Sequence, residues 1–190
     1  MDDDELLRRL ARDLDGSFEA LVRAHQDRLY SIALRYLRDP SDAEEVAQDS
    51  LLRAYRALGR YEPERIVELR LRAWLATIAI RQCRSRSARR RSATIELVEE
   101  GPAAPAARPA DTPHEVIARR EGAEEWAARV TALPDRYRAA VVLRHVDGLS
   151  YPEMSEALGR PEGTVKAQVH RGLALLRAAY EAGEREESIA

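Results

Sequence analysis

Apolar residues recur along this chain at helical spacing almost from its first residues. Leu6, Leu7, Leu10 and Leu14 predict a short amphipathic helix ended by Gly16. Ser17 is placed to cap a second helix with the apolar face Phe18, Leu21, Val22, Leu29, Ile32, Ala33, Tyr36 and Leu37, broken at Asp39-Pro40. Ser41 and Glu44 have the spacing of a capping box. The helix they predict buries Val46, Ala47, Leu51, Ala54, Tyr55 and Leu58 and stops at Gly59. Residues 60–68, with Pro63, read as a loop. A fourth helix turns Leu71, Trp74, Leu75, Ile78 and Ala79 inward and its arginines outward, so Trp74 reads as core rather than as a stacking platform.

The pattern then stops. From about Ser92 to Pro113, Gly101, Pro102, Pro105, Pro109 and Pro113 among alanines sustain no helix and supply no core, which predicts a flexible linker. Helices resume around Val116, Ile117, Trp126 and Val130. After Leu133-Pro134, Tyr137, Val141, Val142 and Leu143 give another, ended by Asp147-Gly148. The fold class is therefore all-α: two small helical domains, residues 1–91 and 113–180, joined by an acidic linker over 92–112 and followed by an acidic tail over 181–190.

Charge changes this picture more than composition does. The net charge of −2 conceals blocks of opposite sign. The stretch from Arg81 to Arg91 is basic without an acid, Thr94 to Glu125 is acidic, and Lys166 to Arg177 is basic again. Such blocks imply two anion-binding surfaces separated by an acidic connector. The single cysteine, Cys83, leaves no intramolecular disulfide or cysteine-based zinc site. No secretory leader or membrane-length apolar run is read, which predicts a cytoplasmic protein without membrane insertion. Four scattered histidines and no Gly-rich phosphate loop give no expectation of catalysis, a metal or a cofactor.

In the C-terminal half, Ser150 is a good N-cap, Pro152 fits a first turn, and Met154, Ala157 and Leu158 form the inner face of a short helix. Gly159 permits a left-handed turn into a second helix whose inner face is Val165, Val169, Leu173 and Leu176. That arrangement is a helix-turn-helix, with Thr164, Lys166, Gln168, His170 and Arg171 outside as donors and acceptors for phosphates and base edges. The stretch GLSYPEMSEALGRPEGTVKAQVHRGLALLR resembles region 4 of the sigma-70 family, especially its extracytoplasmic-function (ECF) group, although response-regulator helix-turn-helix domains share part of the signal. The resemblance implies −35 promoter binding by Arg160, Glu162, Thr164, Lys166, Gln168, His170 and Arg171. Ala167 and Gln168 replace a common Ser-Arg pair there.

HQDRLYSIALRYLRDPSDAEEVAQDSLLRAYRAL resembles region 2 of the same family. This implies docking on core RNA polymerase by Asp42, Glu45, Gln48 and Asp49, spaced along one helix face. RAWLATIAIRQCRSRSARRR is similar to the segments that melt and read the −10 element. It implies Arg70, Arg72, Arg81, Arg84, Arg89, Arg90 and Arg91 as phosphate contacts. The loop from Arg60 to Leu69 departs from the family form, and no base-reading residue is carried over there.

The resemblance thus implies a sigma factor that binds core polymerase and promoter DNA, duplex at −35 and melted at −10, with an anti-sigma factor as a further partner. It also implies an interdomain segment threading the polymerase cleft, where Glu96, Glu99, Glu100 and Asp111 would act as an RNA mimic or simply as a solvated tether. A stand-alone helix-turn-helix regulator would lack the polymerase-docking face. An adaptor or anti-sigma protein using the fold as a decoy would lack the basic cluster.

Overall fold

The computed structural model describes residues 2–96 and 125–187, with side chains for 2–90 and 125–182. The linker carboxylates beyond Glu96, the segment around Val116 and Ile117, and the end of the tail lie outside the described residues. Every regular element among the described residues is helical.

Helix α1 spans Asp3–Arg12, with acids in its first turn and Arg9 and Arg12 in its last, matching the helix dipole. It buries Leu6, Leu7 and Leu10 against α2 (Leu14–Leu37) and α4 (Pro63–Val67). The break between α1 and α2 falls at Asp13, not at Gly16 and Ser17. The Asp13 carboxylate accepts from the Gly16 amide at 2.9 Å, and an aspartate placed three residues ahead of a free N–H outcompetes a later serine as the cap. Helix α3 (Pro40–Leu58) starts two residues before the expected capping box. Asp39 caps it through the Asp42 amide at 2.9 Å, and Pro40 occupies the first turn, where its missing N–H costs nothing. The loop over 60–68 contains the short helix α4, started by Pro63 and anchored by buried Ile66. Helix α5 runs over Leu71–Glu96. Trp74 and Ile78 are half-buried at the edge of the core rather than inside it, and Tyr55 is 37% exposed.

Residues 125–132 form α6, followed by α7 (Asp135–His145), α8 (Tyr151–Leu158) and α9 (Glu162–Glu187). Helix α9 packs on α7 and α8, and it approaches α7 closely at Gly172. The two modules share one apolar core, because α8 packs on α5 and α7 on α2 and α5. Ala139, Ala140, Val141, Val142 and Leu143 are consecutive and wholly buried. Five successive residues point all round a helix, so α7 is enclosed by both modules rather than covered by its own alone.

Beneath this junction His25 is buried with neither ring nitrogen in a hydrogen bond, and its Nε2 lies 3.5 Å from Asp3. Burial lowers its pKa below 6.5, assisted by Arg28 and Arg72 and opposed by Asp3 and Asp147. The folded protein therefore resists protonation that the unfolded chain accepts. Stability should be full above pH 6.5 and fall as pH drops through the folded pKa. Urea unfolding across pH 5–7.5 should show this fall, and a His25→Gln variant should flatten the contribution.

Candidate nucleic-acid interface

The exposed face of α3 is built by its own periodicity. Val46, Ala47, Ser50, Leu51, Ala54 and Leu58 turn inward, leaving Glu45, Gln48 and Asp49 outside as expected. Asp42 is the exception. It is 8% exposed and turned toward α5, where Arg86 approaches its carboxylate at 2.6 Å and Arg90 at 2.9 Å. It is an intramolecular anchor, not a solvent-facing contact. Arg86 also donates to Glu45 at 2.6 Å, and its hydrogen bonds to the Glu45 and Asp42 carboxylates raise its already high pKa. Leu52 continues the same strip and is 45% exposed. Sequence reading missed it because its neighbour Leu51 already accounted for the apolar stripe.

Beside this face, between the end of α3 and the start of α5, lies a cavity of about 850 Å³. Arg53, Arg56, Arg60, Arg70 and Arg81 line it together with Tyr61 and Trp74, against only Glu68 and Glu156. The Tyr61 and Trp74 rings pack at 6.2 Å between centroids, and Arg65 lies over Tyr61 at 3.9 Å. Guanidinium groups around partly exposed aromatic faces suit a charged strand whose bases can stack. Trp74, read from sequence as core, thus lines the cavity. Arg53, Arg56, Arg60 and Tyr61 were not singled out, since they fall outside the arginine-dense run.

The seven arginines expected to meet the −10 strand do not share one state. Arg81 and Arg89 are exposed, and the Arg91 side chain lies outside the described residues. Arg90 binds Asp39 and Asp42. Arg70 pairs with Glu156 at 3.0 Å, Arg84 with Asp135 at 2.8 Å, and Arg72 donates to the Asp147 carbonyl at 2.8 Å. Those three partners belong to the C-terminal module.

Helix α8 is fixed at both ends by local chemistry. Ser150 and Glu153 form a full capping box, with the Ser150 amide and hydroxyl donating to the Glu153 carboxylate at 2.8 and 2.6 Å. Burial pushes the Glu153 pKa up, but the hydrogen bonds from Ser150 and the charges of Arg72 and Arg28 outweigh it and hold the group below its usual range. Gly159 closes the helix at φ 62°, a left-handed conformation natural to glycine. The next helix then presents Glu162, Thr164, Lys166, His170 and Arg171 to solvent, with Arg160 half-buried at its approach. Gln168, expected outside, is 7% exposed, and Leu173, expected inside, is 37% exposed. The true inner stripe is Val165, Gln168, Val169, Gly172 and Leu176, with the glycine bringing α9 close onto α7 at Val141 and Tyr137.

Among the described residues no group of three His, Cys, Asp or Glu is placed to hold a metal, and no helix is long and apolar enough to cross a membrane.

A family profile for sigma-70 region 2 matches residues 21–93, and one for sigma-70 region 4 matches residues 123–176. The chain is 33% identical over 162 residues to the ECF RNA polymerase sigma factor SigE of Mycolicibacterium smegmatis, covering 85% of this chain and 60% of that protein's length. It is 33% identical over 166 residues to the RNA polymerase sigma-E factor of Streptomyces coelicolor, covering 84% of each. In architecture it resembles CnrH, solved in complex with the cytosolic domain of CnrY, with TM-score 0.68, 26% identity, and 95% and 97% of the two chains covered.

Proposed function

This chain belongs to the ECF RNA polymerase sigma factors, and from that premise we propose how its surfaces divide the work of promoter-specific initiation. Glu45, Gln48 and Asp49, with exposed Leu52 among them, dock on core RNA polymerase. An apolar side chain within a carboxylate-bearing strip gives a docking face both burial and orientation. The arginine- and aromatic-lined cavity takes the unpaired −10 strand, its guanidinium groups neutralising phosphates and Tyr61 and Trp74 offering ring faces. Thr164, Lys166, His170 and Arg171 enter the major groove of the −35 duplex from α9. The chain carries no chemistry of its own, phosphodiester formation being left to the polymerase, and it works in the cytoplasm.

The observation that carries this reading is the pairing of a capped helix-turn-helix with a cationic, aromatic cavity on one chain. In vitro transcription with purified core polymerase on genomic DNA, reading start sites, tests it. Start sites sharing a bipartite upstream pattern are expected, and no transcript above core alone would overturn it. Glu45→Arg with Asp49→Arg should abolish co-purification with core polymerase while helical content is kept, because both side chains are exposed and the fold loses only the half-exposed Glu45–Arg86 ion pair. Lys166→Ala or Arg171→Ala should weaken −35 binding, a phosphate contact flattening the salt dependence and a base contact relaxing specificity.

An anti-sigma protein is proposed as a further partner. CnrH, which this chain resembles over nearly its whole length, is held by a separate protein's cytosolic domain.

A further inference from the structure

The match to sigma-70 region 2 begins at residue 21, which leaves α1 outside it. Yet α1 is firmly held. Leu6, Leu7 and Leu10 are each 1% exposed. Asp3 at its start lies against buried His25 of α2, and Asp13 at its end caps α2. Two attachments and one apolar face give α1 a fixed place on α2.

Helix α4 has no such independence. It is five residues long with one buried side chain, Ile66. So short a helix does not hold itself together in water, because nucleation fixes several dihedrals for a single hydrogen bond. Its cover is α1: the two helices pack together, and Leu10, Ala11 and Arg12 line a cavity of about 670 Å³ with Tyr61, Pro63 and Ile66. Tyr61 belongs to this cavity and to the cationic one, where its ring meets Trp74, and Arg65 of α4 lies over the same ring. The cationic cavity therefore has walls of two kinds. Arg53, Arg56, Trp74 and Arg81 stand on α3 and α5, which pack on each other and on α2. Arg60, Tyr61, Glu68, Leu69 and Arg70 stand on the segment that contains α4.

We propose that α1 is a positioning element for the strand-binding cavity: by bracing α4 through Leu10 it holds Tyr61 on the cavity wall and so sets how well unpaired −10 bases stack. The inference rests on the proposed −10 role of the cavity and names what places its aromatic wall. Its physical basis is the difference in tolerance between the two kinds of contact. A ring must be placed closely to stack on a base, whereas a guanidinium attracts phosphate across several ångströms of water. Loosening α4 therefore costs base recognition and leaves the attraction for the backbone, which the arginines of α3 and α5 supply.

The test uses the full chain assembled with core polymerase. The probe is a single-stranded −10 oligonucleotide from a mapped start site, either intact or with abasic −10 positions. The wild type should prefer the intact strand. In Leu10→Ala that preference should fall about tenfold, the scale of one lost stacking platform. Affinity for the abasic strand, its salt dependence and −35 duplex binding should stay as in the wild type. Leu10→Met, which keeps the volume, should restore the preference. Tyr61→Ala should show the same loss, and the double variant should lose no more than either single one, because α1 acts through Tyr61. An undiminished preference in Leu10→Ala would overturn the proposal. So would a loss shared by the abasic strand and the −35 duplex, which marks general unfolding, or one that adds fully to that of Tyr61→Ala. A wild-type holoenzyme indifferent to the bases would instead overturn the −10 reading of the cavity, and this proposal with it.

Discussion

Replacing Asp147 with alanine should destabilise the chain by about 3–5 kcal/mol, the range for removing one partner of a buried ion pair. The loss is large because Arg28 remains: its side chain is 16% exposed, and its Nη1 already lacks a hydrogen-bond partner. Without the carboxylate, its charge sits between α2, α5 and the end of α7 with only the Arg72 carbonyl to receive it. Asp147→Asn should cost less, since an amide oxygen still accepts one hydrogen bond. The two tryptophans make the experiment informative, with Trp74 in the first module and Trp126 in the second. Urea unfolding of single-tryptophan versions should give coincident transitions in the native background. In Asp147→Ala both midpoints should drop, with the second module unfolding first. Unchanged midpoints would show that the tie contributes nothing.

Gly172→Leu should cost about 3 kcal/mol, at the upper end for overpacking a tight contact. A Cβ on Gly172 would stand 2.6 Å from the Val141 Cγ2 methyl and 3.4 Å from Tyr137 Cβ. Valine is stiff at χ1, and Val141 is wholly buried, so neither rotation nor outward relaxation makes room. Helix α9 must instead lift from α7, which loosens the platform on which the recognition residues stand. Gly172→Ala separates the two effects. It gains about 1 kcal/mol of helix propensity but meets the same methyl, so it should fall between wild type and Gly172→Leu. Thermal unfolding compared with −35 duplex affinity checks this. Equal stability in all three proteins would remove the close approach as a determinant of the fold.

Much of the architecture was legible because its signals are local. The helix-turn-helix follows from Ser150, Gly159 and a short apolar stripe, all within one stretch, and the structure places them so. The caps were less legible, because several residues compete for one role: Asp13 displaced Ser17, and Asp39 displaced Ser41. The inner face of α9 was misread at Gln168 and Leu173 because an apolar pattern cannot register a glycine as a contact point. Gly172 decides how deeply each neighbour sinks. The arginines were the hardest. Their chemistry is the same whether they face phosphate or carboxylate, and their partners are far away in sequence. Nothing near Arg28 or Arg84 announces Asp147 or Asp135.

That distance has a consequence for how the molecule is made. The Asp147–Arg28 contact joins residues 119 positions apart, and the half that supplies the arginines is synthesised first. At bacterial elongation rates of about 5–20 residues per second, roughly 6–24 s separate the appearance of the two partners. Helices α1 to α5 hold most of their own core and are able to fold in that interval. During every round of translation the nascent chain thus displays its arginine face uncovered, tethered to a ribosome rich in RNA. Those contacts begin only when the second half emerges, so the order of synthesis leaves Arg28, Arg70, Arg72 and Arg84, for some seconds, without the partners that the finished protein gives them.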